Sequence, residues 1–130
     1  MVAELARHRL PATDEAPRNA RALLAVQLGE LLTLEQGQVA ELLISELVTN
    51  ALRHTQSDVI LVDVSTDARI RVSVTDQSSR MPQRQSPGPD EPGGRGLMIV
   101  DELAESWGID ALPGDGKRIW FELRGATARR

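Results

Sequence analysis

Apolar residues recur at Ala40, Leu43, Ile44, Leu47, Val48 and Ala51, a spacing that predicts a helix with one buried stripe. The same period at Ala20, Leu23, Leu24, Leu28 and Leu31 predicts an earlier amphipathic helix ending near Leu32 and Thr33. Thr13 or Asp14 is its expected N-cap, Pro17 fits its first turn, and Glu35 to Gln38 reads as a link to the next helix. Arg7 to Pro11 reads as a short edge strand, because proline cannot donate to a central ladder. The period then changes to two. Val59 to Val64 is rich in β-branched residues, and Ile70, Val72 and Val74 alternate with Arg71, Ser73 and Thr75. The short polar joint from Ser65 to Ala68 makes these an antiparallel hairpin, whose second strand runs into Asp76. Helical spacing returns at Leu97, Val100, Ala104 and Trp107, with Gly108 as the expected stop. After a turn at Pro113 to Gly116, Lys117 to Leu123 reads as a last strand with Ile119, Phe121 and Leu123 on one face.

From Gln77 to Gly96 neither period holds. Four of the seven prolines and four of the ten glycines fall there, the composition of a long loop. A loop of that length inside a compact domain is functional or mobile in most cases.

Length and composition narrow the function classes. The 130 residues make one domain, 41% hydrophobic and 26% charged, with no internal repeat. The absence of cysteine removes disulfides, thiolate zinc sites and thiol catalysis, and His8 and His54 are too few for a histidine-built metal site. A net charge of −4 and only three aromatic residues (Trp107, Trp120, Phe121) disfavour nucleic acid as a partner. With no apolar run of membrane-spanning length and no signal peptide, the expected compartment is the cytoplasm.

Candidate chemistry falls in three places. Glu46 and Asn50 lie one turn apart at the border of the buried stripe, where a carboxylate and a carboxamide suit a metal and a nearby proton. The competing reading is a solvated helix edge. Asp76 ends a buried strand, where it either accepts from an amine such as that of adenine or merely starts a turn. Gly93-Gly-Arg-Gly96 directly precedes an apolar helix and suits an anion at the unpaired N–H groups, or serves as a hinge. Arg80, Arg84 and Arg95 are cations that either meet phosphates or stay solvated, and His54 is read as a helix C-terminal cap. No P-loop, eukaryotic kinase motif or Gly-x-Ser-x-Gly is present.

Taken in order, Glu46-Leu-Val-Thr-Asn50, a hairpin ending in Asp76, a loop, Gly94-Arg-Gly96-Leu97 and a last strand resemble the GHKL (Bergerat-fold) ATPases. Ser45 to His54, Gly94 to Val100 and Trp107-Gly108 resemble the small bacterial anti-sigma regulatory serine/threonine kinases within that family, over roughly Leu10 to Leu123. The resemblance implies an α+β, two-layer sandwich, with helices on one face of a mixed, mostly antiparallel sheet. It implies ATP and Mg²⁺ as cofactors, with Asn50 on the ion, Glu46 as general base and Asp76 on the adenine amine. Arg84, Gly94, Arg95, Gly96 and Leu97 would belong to the nucleotide site, and residues 79–93 would form a mobile ATP lid. The implied partners are a sigma factor and an anti-sigma-antagonist protein, the latter phosphorylated on serine or threonine, and a homodimer is compatible with the resemblance. One departure stands out: the family's Asp-x-Gly-x-Gly is here Asp76-Gln-Ser-Ser-Arg80, without either glycine. That change favours the alternative of a non-catalytic binding module, nucleotide-dependent or nucleotide-free, whereas Glu46 and Asn50 favour the enzyme.

Overall fold

A computed structural model of the chain describes residues 5–55, 57–66, 69–76, 92–113 and 116–124. They form strand β1 (Leu5–Pro11), helices α1 (Ala16–Leu28) and α2 (Leu34–His54), and strands β2 (Val59–Thr66) and β3 (Ile70–Asp76). Helix α3 (Pro92–Leu103) and strands β4 (Ser106–Ala111) and β5 (Lys117–Leu123) follow. The strands make one five-stranded sheet in the order β1-β2-β3-β5-β4. All four pairings are antiparallel, so the expected α+β sandwich is present without a parallel component among the described residues. The predicted hairpin is β2–β3, with Val64 opposite Val72 and Leu61 opposite Thr75.

One core lies between the sheet and the helices. Val62, Val72 and Phe121 from the sheet meet Leu24 and Leu28 of α1, the predicted stripe of α2, and Val100 of α3. The stripe residues Leu43, Ile44, Leu47 and Val48 are wholly buried, as their spacing demands. The other sheet face carries ion pairs between directly opposed residues: Arg7–Asp63, Arg71–Glu122 and Arg118–Asp110. Alternation along the strands thus separates an apolar layer from a charged one.

Three boundaries differ from those the sequence suggests. Helix α1 stops at Leu28, with Gly29 at its end, and Leu31 and Leu32 pack against the core from the following turn. Its N-cap position is Glu15; the Thr13 hydroxyl accepts instead from the Glu15 N–H, in a local turn. Helix α2 starts at Leu34, so Glu35 to Gln38 is helix and not link. The Thr33 hydroxyl accepts from the Gln36 N–H, and the Gln36 carboxamide accepts from the Thr33 N–H, a reciprocal capping box. A further difference is a whole strand. Trp107 and Gly108 belong to β4, where Trp107 opposes Phe121, and not to the end of α3. Gly108 is required there: a Cβ would sit 2.7 Å from the Trp120 ring, which lies across it.

Candidate functional site

Polar residues gather where the sheet and the last turns of α2 end together. His54 closes α2, and the chain re-enters the sheet at Val59 after a short connection. The start of β2, the end of β3 and the start of β5 therefore share one end of the sheet, fixed by the registers Leu61–Thr75 and Asp76–Lys117. Helix α2 packs against β3, β5 and α3, and the short connection to β2 brings its last turn to that end.

Asn50 is 6% exposed, on the inner side of α2. Its carboxamide oxygen is buried with no hydrogen-bond partner among the described residues. An acceptor left in that state costs roughly 1–3 kcal/mol, and native proteins rarely leave one without a reason. A hard, oxygen-seeking cation such as Mg²⁺ takes carboxamide oxygens, so this atom fits such an ion. Glu46, one turn earlier, is half-buried. Partial burial raises its carboxyl pKa above the usual 4.5, against the opposing pull of Arg53. That direction suits a proton acceptor, because a base works best with a pKa nearer the working pH.

Asp76 is 1% exposed at the end of β3, where the chain leaves the sheet. Its carboxylate accepts from the Lys117 ammonium at 2.9 Å, and Lys117 is likewise only 1% exposed. Gly116 closes the approach: a Cβ there would lie 3.0 Å from the Asp76 carbonyl oxygen. Its own carbonyl accepts from the Leu112 N–H at 3.0 Å, which closes the connection between β4 and β5.

The glycine run lies inside α3, which begins at Pro92, and not ahead of the helix as its pattern suggests. Gly94, Arg95 and Gly96 therefore occupy its opening turns, and the open N–H groups at the helix start include those of Gly93 and Gly94. Leu97 is half-buried in the same helix. Arg80, Arg84 and most of the expected lid at 79–93 lie outside the described residues. The short connection from α2 to β2 and the strand registers place Asp76 and the last turns of α2, which carry Asn50, at the same end of the sheet, with Glu46 one turn further back.

Lys117 escaped the reading of the sequence, although a signal was present. It shares its strand parity with Ile119, Phe121 and Leu123, which places a lysine on the buried face, where this residue type is almost never found unpaired.

Among the described residues no helix is long and apolar enough to cross a membrane. The family described as "Histidine kinase-, DNA gyrase B-, and HSP90-like ATPase" matches residues 36–127. No curated protein matches the chain. Among solved structures, the RsbU and RsbW domains of Rv1364c from Mycobacterium tuberculosis are similar, with a TM-score of 0.70 and 24% identity over 94% of this chain and 32% of that one. Full-length ShkA in complex with AMPPNP is similar with a TM-score of 0.63 and 21% identity, over 92% of this chain and 31% of that one. The chain spans about a third of the length of each, and at these identities the likeness is one of fold.

Proposed function

The chain belongs to the histidine kinase-, DNA gyrase B- and HSP90-like ATPase family, and on that premise we propose that it is an ATP-dependent anti-sigma regulatory kinase. In this reading it phosphorylates a serine or threonine of an anti-sigma-antagonist protein, and it holds a sigma factor when that antagonist is absent. The observation that carries the reading is the placing on α2, one turn apart, of a buried Asn50 oxygen without a hydrogen-bond partner among the described residues and a half-buried Glu46 of raised pKa. The motif resemblance at Ser45 to His54 and the fold likeness to a chain containing an RsbW domain support it.

The roles divide by chemistry. Asp76, an acceptor, takes the adenine amine. The open N–H groups at the start of α3, around Gly93 and Gly94, face phosphate oxygens, which the positive end of the helix dipole favours. Arg95, Gly96, Leu97 and the Arg84 segment complete the phosphate side. Asn50 is the residue that would hold Mg²⁺, which when bound neutralises phosphate charge and orients the transferred group. Glu46 accepts the proton of the attacking hydroxyl, a task worth about 10²–10⁴-fold in rate.

The altered Asp76-Gln-Ser-Ser-Arg80 favours a second reading, a binding module without catalysis. Calorimetric titration with ATP, with and without Mg²⁺, followed by phosphoryl transfer to candidate antagonists, separates the two. Magnesium-dependent binding with transfer supports the kinase; binding without transfer to any antagonist supports the module; and no binding at all removes the nucleotide site.

A further inference from the structure

Where α1 ends and α2 begins, a groove of about 370 Å³ lies between the two helices, lined among others by Leu24, Leu28, Leu32, Leu34, Gly37 and Glu41. Leu34 is 82% exposed, and Val26 in the last turns of α1 is 80% exposed, so the apolar character continues onto the surface. Gly37 and Asn50 are thirteen residues apart on α2, roughly 20 Å at the helical rise, so the groove is separate from the nucleotide site.

Gly37 shows that the open space is kept open. Glycine is second only to proline in disfavouring a helix, yet it stands in α2 on the face that lines the groove. A Cβ there would meet no atom within 4 Å among the described residues, so packing within the chain does not demand the missing side chain.

The charge around the groove has one sign. Between Arg21 and Arg53 the only charged residues are Glu30, Glu35, Glu41 and Glu46. Glu41 lines the groove, Glu30 follows Gly29 and Glu35 follows Leu34, both lining residues. None of these three carboxylates has an ion-pair partner among the described residues. The flanking cations are engaged elsewhere: Arg21 donates to the Ser45 hydroxyl, and Arg124 pairs with Glu105.

We propose that this groove docks an amphipathic helix of another protein, whose apolar residues one turn apart enter beside Gly37 while its lysines or arginines face Glu30, Glu35 and Glu41. A helical occupant satisfies its own backbone, whereas an extended one would lay unpaired N–H and C=O groups between two helices whose backbones bond within themselves. A second copy of the chain fits poorly, because a two-fold contact through this patch would set the same acids against one another.

The test is an anisotropy titration of the full chain with two labelled helical probe peptides. One carries leucines at i, i+3, i+4 and i+7 flanked by lysines; the other has glutamates in place of the lysines. Wild type should bind the basic peptide saturably and the acidic one far more weakly. Gly37→Leu should weaken the basic peptide about tenfold or more, because its side chain takes the space the anchors need. Its melting temperature should be unchanged or higher, leucine being the better helix former, and its Mg-ATP affinity should equal that of wild type. Glu35→Gln with Glu41→Gln should weaken the basic peptide about threefold to tenfold at low salt and less at high salt. Where Gly37→Leu fails to fold, Leu34→Ser replaces it, since Leu34 lies outside the core, and it should weaken the peptide as well. No saturable binding of the basic peptide, equal binding of the acidic one, or undiminished binding in a folded groove variant each overturns the proposal. A wild-type dimer that Gly37→Leu dissociates, read by sedimentation, makes a second copy the occupant and overturns it too. Wild type that fails to bind Mg-ATP overturns the nucleotide reading alone.

Discussion

At the scale of single residues, function and stability pull apart at Asn50 and Glu46. The buried Asn50 oxygen bonds to nothing among the described residues, so Asn50→Ala removes no internal hydrogen bond with that atom and relieves an unsatisfied acceptor. The variant should melt within a few degrees of wild type while its Mg-ATP affinity drops sharply, as read by calorimetry and thermal scanning on the same samples. A large loss of stability with unchanged affinity would make Asn50 a packing residue. Glu46 gives a pH-dependent counterpart. Its folded-state pKa is raised, mainly by burial, so the folded protein binds this proton more tightly than the unfolded chain. The stability this supplies is complete below the ordinary carboxyl pKa and is lost as pH rises through the higher folded value. Glu46→Gln cannot ionise, so its stability relative to wild type should increase from acid to neutral pH, measured by urea unfolding at several pH values. At neutral pH the same variant should keep nucleotide affinity and lose roughly 10²–10⁴-fold in phosphoryl transfer.

At the scale of elements, the long helix α2 is held at the end remote from the site. Gln36 accepts from the Thr33 N–H and also donates from its carboxamide nitrogen to the Arg124 carbonyl at 2.9 Å. One side chain thus caps α2 and ties its start to the end of β5. Thr33→Ala should cost about 1 kcal/mol through loss of the cap, and Gln36→Ala somewhat more, because the tether goes with it. Neither should alter Mg-ATP affinity, since α2 is anchored independently by its buried stripe. A fall in affinity in either variant would show that the helix start controls the geometry at Glu46 and Asn50.

At the scale of the whole molecule, helices and sheet share a single core, so distant changes are felt together. Phe121 is wholly buried in the middle of β5, opposed by Val72 and Trp107. Phe121→Ala should cost about 3–5 kcal/mol, a large part of the 5–15 kcal/mol that holds a typical domain, and lower the urea midpoint accordingly. Ligand binding acts in the opposite direction. Mg-ATP at about a hundred times its dissociation constant should add roughly 2.7 kcal/mol and raise the melting temperature by several degrees. That rise should be absent in Asn50→Ala, which links the residue-scale and molecule-scale tests.

The amino-acid sequence by itself determined the elements whose period is long and undisturbed. The stripe of α2, the β2–β3 hairpin and the buried alternation of β5 follow from burial on one face, a local consequence of side-chain direction. It also determined the order of Glu46, Asn50, Asp76 and Gly94 to Gly96 along the chain, which carries the family resemblance. Where two local patterns compete, only the tertiary structure chose. Trp107 continues the spacing of Leu97, Val100 and Ala104, yet pairing with Phe121 in the sheet makes it a strand residue. Glu35 to Gln38 lacks an apolar stripe, yet the Thr33–Gln36 bonds and the tether to Arg124 make it the first turn of α2. The partnership of Asp76 with Lys117 spans 41 residues of sequence and exists only because β3 and β5 are neighbours in that register. Contacts of that range are set by strand pairing, a property of the assembled sheet that no short window of sequence contains.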